Sequence, residues 1–333
     1  MQRIAVIGAG SWGSALAVHL ALAGHEVRLW VREPEVLQAL RERRENTVFL
    51  PGFHVPSNVT GCDSFEEALR GAELVLWAVP SHVTRRVLRT AAPYIDPSVP
   101  VVSATKGLEI DTLLRVSEVI TQELGNSRPV VVLSGPSFAV EVARQLPTAV
   151  CAASADEHAA ALVQEEFRAR YFRIYATDDV VGVEIGAALK NVIAIAAGVV
   201  EGLGLGHNSL AALVTRGLAE ISRLACALGA QRETLAGLSG LGDLILTCTG
   251  SLSRNRQVGV ELGRGRTLSE ILSGMSMVAE GVRTTGAALA LGARHGVELP
   301  IAAQMAEVLG ERKTAAEAAE ALMLRPQRLE MDG

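Results

Sequence analysis

The sequence predicts an α/β chain in two parts: a doubly wound, mainly parallel sheet domain over residues 1–180, then an all-helical domain over residues 181–333. Three observations lead there. In the first half, short apolar runs with few polar residues inside alternate with amphipathic stretches, the pattern of parallel strands covered on both faces by helices. A glycine-rich turn stands directly behind the first of those runs. Past about Asp178 no further strand-like run occurs, and helical patterns split by glycines take over. The chain has 333 residues, 49% hydrophobic and 20% charged, long enough for two cores and too apolar for disorder.

Strands are expected at residues 3–8, 27–31, 74–79, 101–104, 130–133 and 149–152. The turn Gly8-Ala9-Gly10-Ser11-Trp12-Gly13 opens a helix over residues 14–23, which Gly24 ends. Ser64-Phe65-Glu66-Glu67 is a capping box whose short helix stops at Gly71. In the second half, the apolar stretch 180–200 reads as the first helix. Residues 209–228 form a long helix closed by Gly229, and residues 281–295 another closed by Gly296. Capping boxes at Thr267-Leu268-Ser269-Glu270 and Thr314-Ala315-Ala316-Glu317 start two more. The most lipid-like run, residues 192–200, has nine residues before Glu201. A bilayer span needs about 20, so this run reads as a buried helix and nothing as membrane-bound.

Composition narrows the function. With 31 Lys and Arg against 36 Asp and Glu, the net charge of −5 argues against nucleic-acid partners, which require a basic excess. Cys62, Cys151, Cys226 and Cys248 show no C-x-x-C spacing, which suits a reduced, cytoplasmic setting. The seven histidines have no ligand spacing, so no metal is expected. Neither a G-x-S-x-G elbow nor a Walker A loop occurs.

A glycine turn between a strand and a helix is the context a dinucleotide requires. Gly8 permits the tight turn, Gly10 lets the backbone approach a pyrophosphate, and Gly13 lets helix and strand pack closely. The helix N-terminus adds amide donors and a partial positive charge. An NAD-selective site would place a carboxylate after the second strand for the ribose 2′-hydroxyl. The segment Leu29-Trp30-Val31-Arg32-Glu33 puts Arg32 there instead, either as a grip for the 2′-phosphate of NADP(H) or as a solvated surface arginine. Glu33 next to it leaves NAD(H) open.

Parallel strands deliver their C-terminal ends to one edge of the sheet. There, Thr105-Lys106-Gly107 carries the sole charge of residues 101–108, a candidate for substrate contact or else a solvated loop lysine. Ser134-Gly135-Pro136-Ser137 ends another strand. Lys190 is the leading candidate, set in an apolar helix among Gly186, Ala187, Ile193 and Ala194, which would desolvate its ammonium. Burial lowers a lysine's pKa and a nearby carboxylate raises it, which makes an acid–base group near neutrality. The alternative is a lysine that snorkels to water. Asp243 and Thr247, at i and i+4, share a helix face, though Asp243 could instead be a cap. Ser251-Leu252-Ser253-Arg254-Asn255-Arg256 reads as a helix start with hydroxyl, guanidinium and amide donors suited to a phosphate, or as a solvated arginine pair.

Taken in order, GAGSWG at 8–13, TKG at 105–107, SGPSFA at 134–139, Lys190-Asn191, TRGLAE at 215–220, GLGDLILTCTG at 240–250, SRN at 253–255 and VAEGVRT at 278–284 span nearly the whole chain. Together they resemble the NAD(P)-dependent glycerol-3-phosphate dehydrogenases of the bacterial soluble type. The resemblance implies hydride transfer between NAD(P)H and dihydroxyacetone phosphate to give sn-glycerol 3-phosphate, a homodimer, and a place at the head of glycerophospholipid synthesis. It implies that Lys190 gives and takes the proton at the substrate oxygen and that Lys106 touches both substrate and cofactor. Gly135 and Ser137 would line the substrate site, while Asp243, Ser253, Arg254 and Asn255 hold the glycerol phosphate. Ser11, Trp12, Arg32, Ala139, Arg254, Val278 and Glu280 would line the cofactor, with Asn191 and Thr247 assisting catalysis. Two rivals make different demands. A sister dehydrogenase for another small hydroxy acid would lack the Ser253-Arg254-Asn255 grip. A non-catalytic NADPH sensor would have no reason to keep Lys106, Lys190 and Asp243 together.

Overall fold

The computed structural model of the chain describes residues 1–275, 279–327 and 329–330. It divides into two compact units, Met1–Glu109 with Leu114–Val180, and Ile110–Leu113 with Val181–Gly333.

The first unit is built on an eight-stranded sheet. Along the chain run β1 (Arg3–Ile7), α1 (Ser11–Leu22), β2 (Glu26–Trp30), α2 (Pro34–Arg43), the hairpin β3 (Glu45–Asn46) and β4 (Leu50–His54), β5 (Val59–Cys62), α3 (Phe65–Leu69) and β6 (Leu74–Trp77). There follow α4 (Ser81–Ala91), β7 (Val101–Ser103), α5 (Val116–Leu124), β8 (Val130–Ser134), α6 (Ala139–Ala143), β9 (Thr148–Ala153), α7 (Glu157–Glu166) and β10 (Phe172–Thr177). The strand order is β10-β9-β8-β7-β6-β1-β2-β5, with β3 and β4 paired apart. Alternation along β1 shows why its sequence is apolar from Ile4 to Ile7. Ile4 and Val6 join one core with Leu16 and Leu20 of α1, while Ala5 and Ile7 join the opposite core with Leu69 and Leu88 of α3 and α4. Both faces are buried, so neither can be polar.

The structure departs from the sequence reading at several points. The pairing of β8 with β9 is antiparallel, so residues 149–152 run against the parallel set, and β10 follows β9 in parallel. β5, β10 and the β3–β4 hairpin are additional strands. α1 begins at Ser11, three residues before the expected start, because Gly10 already stands at its N-cap.

The second unit is helical among its described residues. It comprises α8 (Val180–Gly202), α9 (Gly206–Ala227), α10 (Arg232–Ala236), α11 (Asp243–Thr249), α12 (Arg254–Gly263), α13 (Leu268–Ser273), α14 (Glu280–His295), α15 (Pro300–Leu309) and α16 (Ala315–Met323). α8 is the buried helix expected over residues 180–200, with an apolar stretch longer than the run 192–200. It has 23 residues and a mean hydropathy of 1.7 over an 18-residue window, enough to cross a membrane, but 89% of that window is buried inside the protein. Four glycines bring α8 and α12 together backbone to backbone. A Cβ on Gly198 would strike the Arg256 carbonyl and one on Gly202 the Val260 carbonyl. A Cβ on Gly259 would strike the Ile195 carbonyl, and one on Gly263 would lie 2.8 Å from the Val199 carbonyl. Elsewhere, buried Glu220 of α9 receives the first amides of α15, from Ile301 at 2.7 Å and Ala302 at 3.4 Å.

Candidate active site

In the sheet unit, β8, β7, β6 and β1 are parallel neighbours in that order, so the segments after them lie side by side on one edge. Strand order reverses at β1, which pairs with β2 on one side and β6 on the other, and such sheets bind ligands at that point. Gly8 leaves β1 with φ +115°, and a Cβ on it would meet the Ala78 carbonyl oxygen at 2.7 Å. A Cβ on Gly13 would collide with the Gly8 carbonyl, so the helix–strand packing requires both glycines. Gly10 has a different role. Among the described residues, no atom beyond its own chain neighbours comes within 4 Å of where its Cβ would be, which leaves its backbone open to a ligand. Among the described residues, no side chain caps α1, and Trp12 Nε1 is buried without a hydrogen-bond partner. An open glycine, uncapped helix amides and an orphaned donor fit a dinucleotide.

The turn has a brace that sequence reasoning misses. Buried Asn46 of β3 donates from Nδ2 to the Ala9 carbonyl and to Ser14 Oγ, both at 2.8 Å. No spacing marks it, since Arg44-Glu45-Asn46-Thr47 looks like an ordinary polar loop. Arg32, two residues past β2, turns its guanidinium to Glu33, with Nε 2.8 Å from Oε1, and its side chain is 70% exposed.

Three of the expected substrate residues meet at one carbonyl. Lys106 Nζ donates to the Gly135 oxygen at 2.9 Å, and Ser137 Oγ donates to the same oxygen at 3.0 Å. Thr105, before the lysine, donates to the Val79 carbonyl at 2.7 Å. Ala139 opens α6.

In the helical unit, Lys190 does not snorkel. It is 5% exposed, and its Nζ donates to Asp243 Oδ1 at 2.6 Å and to Thr247 Oγ1 at 3.0 Å. Thr247 Oγ1 in turn donates to the Asp243 carbonyl at 2.6 Å. Asp243 therefore holds the lysine and does not cap α11, whose N-cap is Gly242 with no side-chain bond. A wide π turn, Leu238–Gly242, feeds that helix and closes with Gly242 N–H donating to the Gly237 carbonyl at 3.0 Å. Burial pushes the neighbouring Cys248 thiol up to about 12, against the pull of the Lys190 charge, so it stays protonated.

Ser253 is the N-cap of α12, accepting from the Arg256 amide at 3.3 Å, and Arg254 is the helix's first residue. Arg256 forms an ion pair with Glu201. Asn255 Nδ2 donates to Asn191 Oδ1 at 3.0 Å, and its Oδ1 accepts the Gly281 amide at 2.9 Å. That amide bridge ties α8, α12 and the start of α14, where Glu280 is the first helical residue. Val278 lies outside the described residues.

A buried ammonium held by a carboxylate and a hydroxyl can give and take a proton without losing its place. With a glycine turn built for a dinucleotide, this makes the chain a nicotinamide-dependent dehydrogenase. Residues 3–160 match the N-terminus of NAD-dependent glycerol-3-phosphate dehydrogenase and residues 179–320 its C-terminus. The glycerol-3-phosphate dehydrogenase [NAD(P)+] of Citrifermentans bemidjiense is 55% identical over 272 residues, 81% of each chain. The crystal structure of glycerol-3-phosphate dehydrogenase from Coxiella burnetii superposes with a TM-score of 0.94 at 39% identity, covering 97% of this chain and 99% of that one. The Saccharomyces cerevisiae enzyme structure gives 0.83 at 25% identity, over 96% and 98%. The chain belongs to the NAD(P)-dependent glycerol-3-phosphate dehydrogenase family, in its bacterial soluble form. It transfers a hydride reversibly between NAD(P)H and dihydroxyacetone phosphate, yielding glycerol 3-phosphate.

Proposed function

We propose that the enzyme prefers NADP(H) to NAD(H), that Lys190 is its proton donor and acceptor, and that it acts as a cytoplasmic homodimer feeding glycerophospholipid synthesis. The first domain, 1–180, would bind the dinucleotide and the second, 181–333, would carry the catalytic lysine and the phosphate grip. The contact of Lys190 with Asp243 and Thr247 carries the catalytic part.

When bound, the nicotinamide supplies the hydride. Lys190 Nζ gives a proton to the C2 oxygen of dihydroxyacetone phosphate as that oxygen gains charge, and recovers it in the reverse direction. Asp243 offsets the cost of burying the ammonium, and Thr247 fixes its direction. Lys106, held at the Gly135 carbonyl beside Ser137, adds positive charge to the polarised carbonyl. Arg254 at the first position of α12 grips the phosphate together with the helix amides, next to Ser253 and Asn255. Asn191 steadies Asn255 from α8. Gly8, Gly10, Ser11, Trp12 and Gly13 hold the cofactor with Ala139, Glu280 and Val278, and Arg32 exchanges Glu33 for a 2′-phosphate. The four cysteines, none of them in C-x-x-C spacing, support a reducing compartment.

Initial rates with dihydroxyacetone phosphate and each reduced cofactor test the preference. A charge-assisted contact to the 2′-phosphate predicts a kcat/KM at least about tenfold higher with NADPH. Equal values, or a higher one with NADH, would refute it. Sedimentation of the native enzyme tests the dimer.

A further inference from the structure

The segment carrying Lys106 is gripped by α4 at two points one turn apart. Gly107, with φ +126°, lies against Ser81 at the start of α4, and a Cβ there would meet Ser81 Oγ at 2.7 Å. At Arg85 the guanidinium forks onto Glu109, with Nε 2.8 Å from Oε1 and Nη2 2.7 Å from Oε2. Its Nη1 also holds Glu123 of α5 at 2.6 Å, and Nη2 reaches Gln122 at 2.9 Å. The Arg85 and Glu109 side chains are 19% and 13% exposed, so solvent and salt weaken this fork little. Thr105 anchors the segment just before the lysine, through Val79. Past Glu109 the chain turns back, and the Glu109 amide donates to the Leu114 carbonyl at 2.9 Å.

The segment is thus hydrogen-bonded immediately before Lys106 and three residues on, and at Gly107 it approaches α4 too closely for a side chain. Arg85 lies on a helix that has no part in the proton transfer or the phosphate grip. Its neighbour Arg89, one turn further, shares Glu123 while 66% of its side chain is exposed. That is the ordinary surface pairing from which Arg85 departs.

We propose that Arg85 is a positioning residue for Lys106, acting through its fork to Glu109 to hold the 105–109 segment in the one conformation that aims the lysine. The inference rests on the reading of Lys106 as a group that touches substrate and cofactor. A lysine on a loop has a flexible stem and a mobile base. Fixing the base removes most of the alternatives, and a misplacement of about 1 Å at a reacting group costs up to a hundredfold in rate.

Arg85→Lys keeps the charge and loses the fork. In the native background it should lower kcat/KM for dihydroxyacetone phosphate by roughly ten- to a hundredfold. In a Lys106→Ala background the same substitution should change kcat/KM by less than about twofold, because no lysine remains to be aimed. Glu109→Gln should give the same pair of results, and it carries the test if Arg85→Lys does not fold. Arg89→Ala, which loosens Glu123 alone, should leave kcat/KM as it is. Equal losses with and without Lys106 would overturn the inference, since Arg85 would then act on the fold at large. Native activity in both Arg85→Lys and Glu109→Gln would overturn it as well. A Lys106→Ala enzyme with native kinetics would instead remove the assignment of Lys106, and the inference with it.

Discussion

Replacing Lys190 with methionine separates two effects of its pairing with Asp243. The side chains are 7% and 1% exposed and their charges sit 2.6 Å apart. Deleting one member of such a buried pair costs about 3–5 kcal/mol of stability, because the other charge loses its partner in a medium that solvates it poorly. Deleting the proton donor lowers turnover by roughly 10²–10⁴-fold. The double variant Lys190→Met with Asp243→Asn removes both charges, and should recover most of the stability while turnover stays low. Urea denaturation gives the first quantity. Loss of reduced-nicotinamide absorbance at saturating dihydroxyacetone phosphate gives the second. NADPH affinity, read by fluorescence, should change by less than about twofold, which is within about 0.4 kcal/mol. If Lys190→Met folds and keeps kcat within about tenfold of native, Lys190 is not the proton donor. If the double variant regains turnover, the stranded carboxylate rather than the missing proton stopped the single one.

Other predictions concern the cofactor, the phosphate and pH. Arg32→Ala should weaken NADPH binding selectively and leave NADH nearly unchanged; equal losses would give Arg32 another task. Arg254→Ala should raise the KM for dihydroxyacetone phosphate roughly ten- to a hundredfold, the value of one charge-assisted hydrogen bond, and affect unphosphorylated dihydroxyacetone far less. Equal losses for both ketones, with weaker NADPH binding, would place Arg254 on the cofactor. Burial pushes the Glu220 carboxyl from 4.5 up to about 7, against the opposing pull of the Ile301 and Ala302 amides. The folded state therefore binds this proton more tightly than the unfolded chain, so its contribution is complete below pH 4.5 and is lost as pH rises through about 7. Glu220→Gln should be more stable than native by about 3 kcal/mol near pH 8 and by nearly nothing near pH 4.5. A difference that does not vary with pH would exclude Glu220 as the source.

Legibility followed burial. β1, β6, β7 and β8 can be read because strands covered on both faces must be apolar, and β2 because Val27 and Leu29, on its one buried face, alternate with half-exposed residues. β5 and β10 are the two edges of the sheet, and there the rule lapses. Val59-Thr60-Gly61-Cys62 is short and half polar, and Phe172–Thr177 exposes Arg173 and Tyr175. The reversed direction of β9 is set by its neighbours and leaves no mark on Thr148–Ala153 itself. Lys190 stands out as a charge in an apolar helix, and Asp243 with Thr247 as a shared face. Their meeting across 53 residues is a property of the fold alone. Asn46 and the Asn191–Asn255 bridge are single amides with no periodicity, so their roles emerge only from their hydrogen-bond partners.

The glycine contact between α8 and α12 works as a fixed gauge. On the proposed roles, α8 carries the group that meets the ketone and α12 the group that meets the phosphate, and the two groups belong to helices whose main chains touch. Lys190 is two turns before Gly198, and Arg254 less than two before Gly259. No intervening side chain can be trimmed or enlarged to reset the separation, because even a methyl group at Gly198 or Gly259 would overlap a carbonyl. The length of carbon chain between carbonyl and phosphate is thus measured against backbone. Repainting the lining could change affinity or charge preference, but accepting a longer phosphorylated ketone would require the helix pair itself to be rebuilt.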